Sequence, residues 1–177
     1  DGEEAVLANW FDGEYSHPDR IVDHTYGSRY AANSLVSCTF RDKPSKCLPK
    51  NLGTPRGGKG NSSGPAVVAL VLLDLVGSPN VRITKDLSST PQLSDLVQQG
   101  AKELGMPEIY DVRGGHIEDD HTAFLAADVP AVNLIDFGNL THWHKATDTP
   151  DRVAMPSLTK VGRLALWLAL TLGASPP

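Results

Sequence analysis

The apolar positions of this chain fall into a few runs of distinct period. Residues 66–76 read Ala-Val-Val-Ala-Leu-Val-Leu-Leu-Asp-Leu-Val, a continuous and β-branched-rich stretch closed by Gly77 and Pro79. That is the pattern of a strand buried on both faces. Residues 91–104 instead place Leu93, Leu96, Val97, Ala101 and Leu104 at helical spacing, with Thr90 as N-cap and Gly105 as stop. Residues 129–137 form another short apolar run, with the acid Asp136 at its end. Residues 156–172 carry Leu158, Val161, Leu164, Ala165 and Leu168, with Pro156 and Ser157 near the start and Gly173 after the end. They predict a C-terminal amphipathic helix. Upstream, residues 28–37 read as a short helix and residues 3–10 as helix or turn. Residues 38–65 shift to Gly, Pro, Lys, Asn and Ser, a long surface loop inserted in the domain. Buried strands alternating with helices predict an α/β fold, with a largely parallel sheet and helices on both faces.

Composition narrows the function classes. A length of 177 residues fits one domain, and 40% apolar with 21% charged residues is the ordinary globular range. Sixteen Lys and Arg against 21 Asp and Glu leave a charge of −5 with no basic stripe, so the footprint of a nucleic-acid binder is missing. The longest apolar runs fall well short of the ~18 residues a membrane span needs. Cys38 and Cys47 bracket a short polar loop that could close as one local disulfide, implying an oxidising compartment. Asn61-Ser62-Ser63 and Asn139-Leu140-Thr141 match the glycosylation pattern, which arises often by chance.

Three familiar motifs fail on inspection. Gly53 through Gly58-Lys59 has phosphate-loop spacing, but Gly60 stands where the magnesium-binding hydroxyl belongs and no strand precedes it. His116-Ile117-Glu118 has the zinc-deaminase triplet without the Cys pair that completes it. Gly-x-Ser-x-Gly is absent. What remains is a set of acids and histidines at predicted strand ends, where open α/β sheets place their ligands. Glu3-Glu4 opens the chain, and Asp74 sits in the first buried run. Glu118-Asp119-Asp120-His121 follows Gly114-Gly115, and His142-Trp143-His144 follows Asp136. Asp74 stands out because a carboxylate among Leu72, Leu73, Leu75 and Val76 is costly unless paired, hydrogen-bonded or metal-bound. Such side chains suit a zinc site with an open position and a neighbouring carboxylate to move protons.

Taken together, the segments resemble the zinc-dependent M28 peptidase superfamily, and within it the animal-type glutaminyl cyclases and their bacterial relatives. The matching pieces are Asp1-Gly2-Glu3-Glu4-Ala5 with Trp10, Tyr26-Gly27-Ser28-Arg29-Tyr30, Leu72 through Asn80, Ile117-Glu118-Asp119-Asp120-His121 with Phe124-Leu125, Val129-Pro130, and Trp143-His144 followed by Asp148. The resemblance implies a mixed, largely parallel sheet. It implies Glu4 and His144 as zinc ligands, Glu3 as general acid/base, Asp74 and Asp119 as buried acids beside it, and Trp143 as a wall of the substrate pocket. The reaction implied is conversion of an N-terminal glutamine to pyroglutamate with release of ammonia, using one zinc ion. In an M28 aminopeptidase the same frame would hold two, with Asp74 a ligand of the second and Glu3 deprotonating a zinc-bound water.

Two details lean away from the animal cyclases. Asn133 stands where they often carry a His, and Thr147-Asp148-Thr149-Pro150-Asp151 looks more like the aminopeptidases. The resemblance also implies a further metal-binding Asp upstream of Asp1. Residues 1–177 are therefore expected to be the C-terminal portion of one catalytic domain, completed by an N-terminal segment, possibly on a separate chain. A non-catalytic subunit of the same fold is the third alternative. The implied substrate is a peptide or protein N-terminus, and the implied location is secreted or periplasmic.

Overall fold

A computed structural model of the chain describes residues 8, 25, 27–32, 67–139 and 141–174. Among them, strands β1 (Leu70–Asp74), β2 (Ile83–Asp86), β3 (Tyr110–Gly115) and β4 (Ala131–Ile135) form one sheet in the order β1-β4-β2-β3. The helices are α1 (residues 27–32), α2 (Pro91–Glu103), α3 (His121–Leu125) and α4 (Met155–Ala174). β1 runs parallel to β4 and β2 parallel to β3, and the two pairs join through an antiparallel contact of Thr84 with Ile135. The sheet is therefore mixed and mostly parallel, as expected.

Each face has its own core. Val71, Val132 and Leu134 pack with Val97 and Ala101 of α2 and with Val161, Leu164 and Leu168 of α4. On the other face Leu70, Val129 and Ala131 meet Ala32 of α1 and Phe124 of α3. Leu164 and Leu168 are fully buried, each contributing roughly 1.5–3 kcal/mol. α2 and α4 approach closely at Gly100, where a Cβ would lie 2.5 Å from the Trp167 ring. Gly105, at φ 71°, takes the left-handed turn that ends α2.

Several expectations change. The strand buried on both faces is β4, all five residues of which are inaccessible. β1 is shorter than residues 66–76, and Leu73 is 46% exposed, because among the described residues β1 has a strand neighbour on one side alone. Thr90 stands at the N-cap of α2 as expected, but its side chain makes no capping bond. Its hydroxyl accepts from the Ala131 N–H, tying the start of α2 to β4. β2, β3 and α3 had no clear pattern. β2 is four residues, two of them polar and half-buried, and β3 ends in Gly114-Gly115. Gly114 is required there, since a Cβ would sit 1.9 Å from the Lys85 carbonyl oxygen at the irregularity between Thr84 and Lys85. Within residues 28–37, helix is described as far as 32. Residues 3–7, 9–10 and 38–65, including Cys38, Cys47 and Asn61, lie outside the described residues.

Candidate active site

The parallel register places Leu72 beside Asn133 and Asp74 beside Ile135. Because strand side chains alternate, Asp74 and Asn133 share the sheet face that α3 covers. Asp74 is half-buried at the end of β1. The next residue, Leu75, adopts φ 52°, a left-handed conformation that costs a non-glycine residue about 1–2 kcal/mol.

Asp119 reaches this face from the loop after β3. Its Oδ2 accepts from Asn133 Nδ2 at 2.8 Å, and its Oδ1 accepts from the Asp120 N–H at 2.7 Å. Asn133 is only 2% exposed, and its own Oδ1 has no hydrogen-bond partner. The carboxylate is thereby fixed against the sheet.

Asp86, at the end of β2, was not singled out in the sequence. Its Oδ1 accepts from the backbone N–H of Ser88 at 2.8 Å and of Ile117 at 3.2 Å. Its Oδ2 lies 2.9 Å from His121 Nε2, with both side chains at 0% exposure. The two form a buried carboxylate–imidazole pair. Burial pushes the Asp86 carboxyl up, but His121 and the two amides outweigh it and hold the group below its ordinary value of 3.8. No signal in Ile-Thr-Lys-Asp distinguishes this acid from a solvated turn residue. His121 stood in the Asp119 cluster, but its burial was not legible there. Asp136 shows the opposite balance. Burial raises its carboxyl, offset in part by donors from Asn139 and Arg82.

Trp143 and His144 lie on an exposed turn after β4, with their rings stacked at 4.1 Å between centroids and 29° between planes. His144 has φ 55°. His142 Nδ1 pairs with Thr147 Oγ1 at 3.0 Å on the same turn. Glu3 and Glu4 lie outside the described residues. The structure thus brings Asp119 onto the face of Asp74 and brings Trp143 against His144. Among the described residues no three His, Cys, Asp or Glu side chains are placed to hold a metal. His144 and Glu4 have the donor types zinc takes, but His144 would need donors from beyond the described residues.

These features sit on the frame of a metallopeptidase-like α/β enzyme. The profile of peptidase family M28 matches residues 3–169, and the chain belongs to that family. Among characterised relatives, it is 27% identical to glutaminyl-peptide cyclotransferase of Bos taurus over 168 residues, covering 86% of this chain and 43% of that protein. It is also 27% identical to the glutaminyl-peptide cyclotransferase of Dictyostelium discoideum over 173 residues, covering 90% of this chain and 45% of the relative. The chain therefore spans less than half the length of these curated relatives. Among solved structures, an Acidobacteriales bacterium glutaminyl cyclase matches with a TM-score of 0.68 at 26% identity, covering 93% of this chain and 52% of that one. A leucine aminopeptidase precursor from Bacteroides thetaiotaomicron shares the fold, with a TM-score of 0.64 at 22% identity over 90% of this chain and 51% of that one. No described helix is long and apolar enough to cross a membrane.

Proposed function

We propose that the chain forms part of a zinc-dependent glutaminyl-peptide cyclotransferase. The observation that carries this reading is that the relatives and the solved structure at 26–27% identity are all glutaminyl cyclases. The firm hold on Asp119, on the face shared with Asp74, supports it. Glu4 and His144 would hold the metal together with a donor from elsewhere. When bound, zinc would polarise the side-chain amide carbonyl of an N-terminal glutamine. Glu3 would take one proton from the α-amine as its nitrogen bonds to the amide carbon. The same proton goes to the amide nitrogen as that carbon–nitrogen bond breaks, and ammonia departs. Asp74 and Asp119, as half-buried acids, would raise the proton affinity of Glu3, and Trp143 would exclude water from the substrate. The Cys38–Cys47 pair would place the protein in a secreted or periplasmic compartment.

An aminopeptidase is the second reading, favoured by Thr147-Asp148-Thr149-Pro150-Asp151 and by the half-buried carboxylate of Asp74 at a strand end. The test uses the intact protein carrying this chain, loaded with zinc. Ammonia release from Gln-initiated peptides, with one bound zinc ion, supports the cyclase. Residue-by-residue release from unblocked peptides, with two zinc ions, replaces it with the peptidase. Neither reaction, with no zinc retained, leaves a non-catalytic member of the family.

A further inference from the structure

The most heavily buried ionisable pair in the described structure, Asp86 with His121, has no part in the reaction outlined above. Its burial is costly unless the two groups match each other. Asp86 Oδ2 and His121 Nε2 do face each other at 2.9 Å, while His121 Nδ1 is buried without a hydrogen-bond partner, at a cost of about 1–3 kcal/mol. An Asp kept only for the turn would need Oδ1 alone, which already serves Ser88 and Ile117. His121 is only two residues after Asp119 and begins α3.

From Asp86, two tracks of hydrogen bonds lead to Asp119. In the first, Asp86 Oδ1 takes the Ile117 N–H and so fixes the loop that carries Asp119. In the second, the Asp86 carbonyl accepts from the Ser89 N–H, Ser89 Oγ accepts from the Asn133 N–H, and Asn133 Nδ2 donates to Asp119 Oδ2. The His121 contact closes the C-terminal side of the same loop.

We propose that Asp86 and His121 are positioning residues, a buried pair that clamps residues 117–121 so that the Asp119 carboxylate stays seated on Asn133. This rests on the cyclase-or-peptidase reading for its kinetic consequence, but not for its structural one. Asp119 is the group that would meet the reacting centre, and Asp86 and His121 would act through it.

The experiment compares Asp86→Ala, Asp86→Asn, His121→Ala and His121→Gln in the intact zinc-loaded protein. Asn keeps an acceptor for both backbone amides and can donate to a neutral imidazole, and Gln can place a donor near the position of Nε2. The expected result is a fall in kcat of about tenfold to a hundredfold in the Ala variants with KM little changed, and recovery of most of it in the Asn and Gln variants. Unchanged kcat in the Ala variants, a change confined to KM, or no recovery in both conservative variants overturns the proposal.

Amide exchange of Ile117–Asp120 is read in the same proteins. It should rise about tenfold in the Ala variants while α2 and α4 stay protected. Unchanged exchange, or equal loss across α2 and α4, overturns the clamp whatever the activity. If the wild type turns over neither substrate class, the functional reading fails while the exchange result still decides the clamp. Should the Ala variants not fold, Ser89→Ala cuts the second track alone. It should lower kcat about threefold and raise exchange at Asp119, and no effect on either overturns the proposal.

Discussion

Replacing Asn133 by Leu tests the hold on Asp119 most directly, and its expected outcome is less obvious than a simple loss. The Asn133 Nδ2 to Asp119 Oδ2 bond, 2.8 Å long and made by a side chain only 2% exposed, has a carboxylate as acceptor. Such bonds contribute about 1.5–3 kcal/mol. Asn133 Oδ1, however, is buried without a partner, at a cost of about 1–3 kcal/mol that Leu removes at similar volume. The two effects oppose each other, so Asn133→Leu alone should change stability by no more than about 2 kcal/mol. A double-mutant cycle with Asp119→Ala separates them. The orphan oxygen and the Asp120 amide bond cancel around the cycle, leaving the pair's own coupling of about 1.5–3 kcal/mol. Urea unfolding of the four proteins measures it, with slopes compared to confirm a common unfolded state. A coupling below about 0.5 kcal/mol with equal slopes would show that Asn133 does not hold Asp119, and the argument for a fixed carboxylate would fall.

Further outcomes follow from the same geometry. Gly114→Ala should destabilise the protein by about 1–3 kcal/mol or more, because the new methyl meets a backbone carbonyl at 1.9 Å; thermal unfolding within 2 °C of wild type would contradict that approach. The Asp86 carboxyl is held below its ordinary 3.8, so its stabilising contribution is present above that value and lost as pH falls through the lower folded one. The gap in melting temperature between wild type and Asp86→Asn should therefore be widest near neutral pH and close in acid. Asp136 has the reverse sign. Burial raises its carboxyl, so its ionised form costs stability at neutral pH, and Asp136→Asn should melt higher than wild type at pH 7 with the advantage fading as acid protonates Asp136.

The fold was legible wherever burial imposed a period. α2 and α4 were readable because Val97 and Ala101, and Val161, Leu164 and Leu168, recur at helical spacing and fill one core. β4 was readable as an apolar run of strand length. β2 and β3 were not, because a four-residue strand with two half-buried polar positions and a strand ending in two glycines carry too few apolar positions to show alternation. At the site, Asp74 and Asp119 were visible as acids following predicted strands; the register puts Asp74 and Asn133 on one face, and Asp119 joins it through its bond with Asn133. What pattern could not show was the pairing across the sheet. Asp86 and His121 are 35 positions apart in sequence, and Asn133 meets Asp119 through a side chain whose type fits a buried strand as poorly as it fits any motif. Thr90 was legible as the N-cap of α2, but the partner of its hydroxyl was not, since capping and cross-sheet bonding ask for the same oxygen and only the fold decides which donor arrives.

The acids at the strand ends also divide by environment in a way that bears on mechanism. Asp86 is held as a carboxylate by two amides and His121, so it is poorly suited to carry a proton at neutral pH and well suited to anchor a loop. Asp136 is pushed toward its neutral form by burial, yet Asn139 and Arg82 occupy it just past the end of β4. Asp119 is different in kind. It is half-buried with each oxygen taking one donor, and it faces the same side as Asp74, which adjoins the strained backbone of Leu75. Strain at a bulky residue persists only where neighbouring structure over-determines it, and such outliers concentrate at functional corners. On the proposed reading an anchored carboxylate on this face would serve a proton relay, because a carboxyl that drifts by about 1 Å loses most of its effect on a neighbouring base. The proposed clamp at Asp86 and His121 and the seat at Asn133 would then be two parts of one requirement, which is to keep Asp119 still.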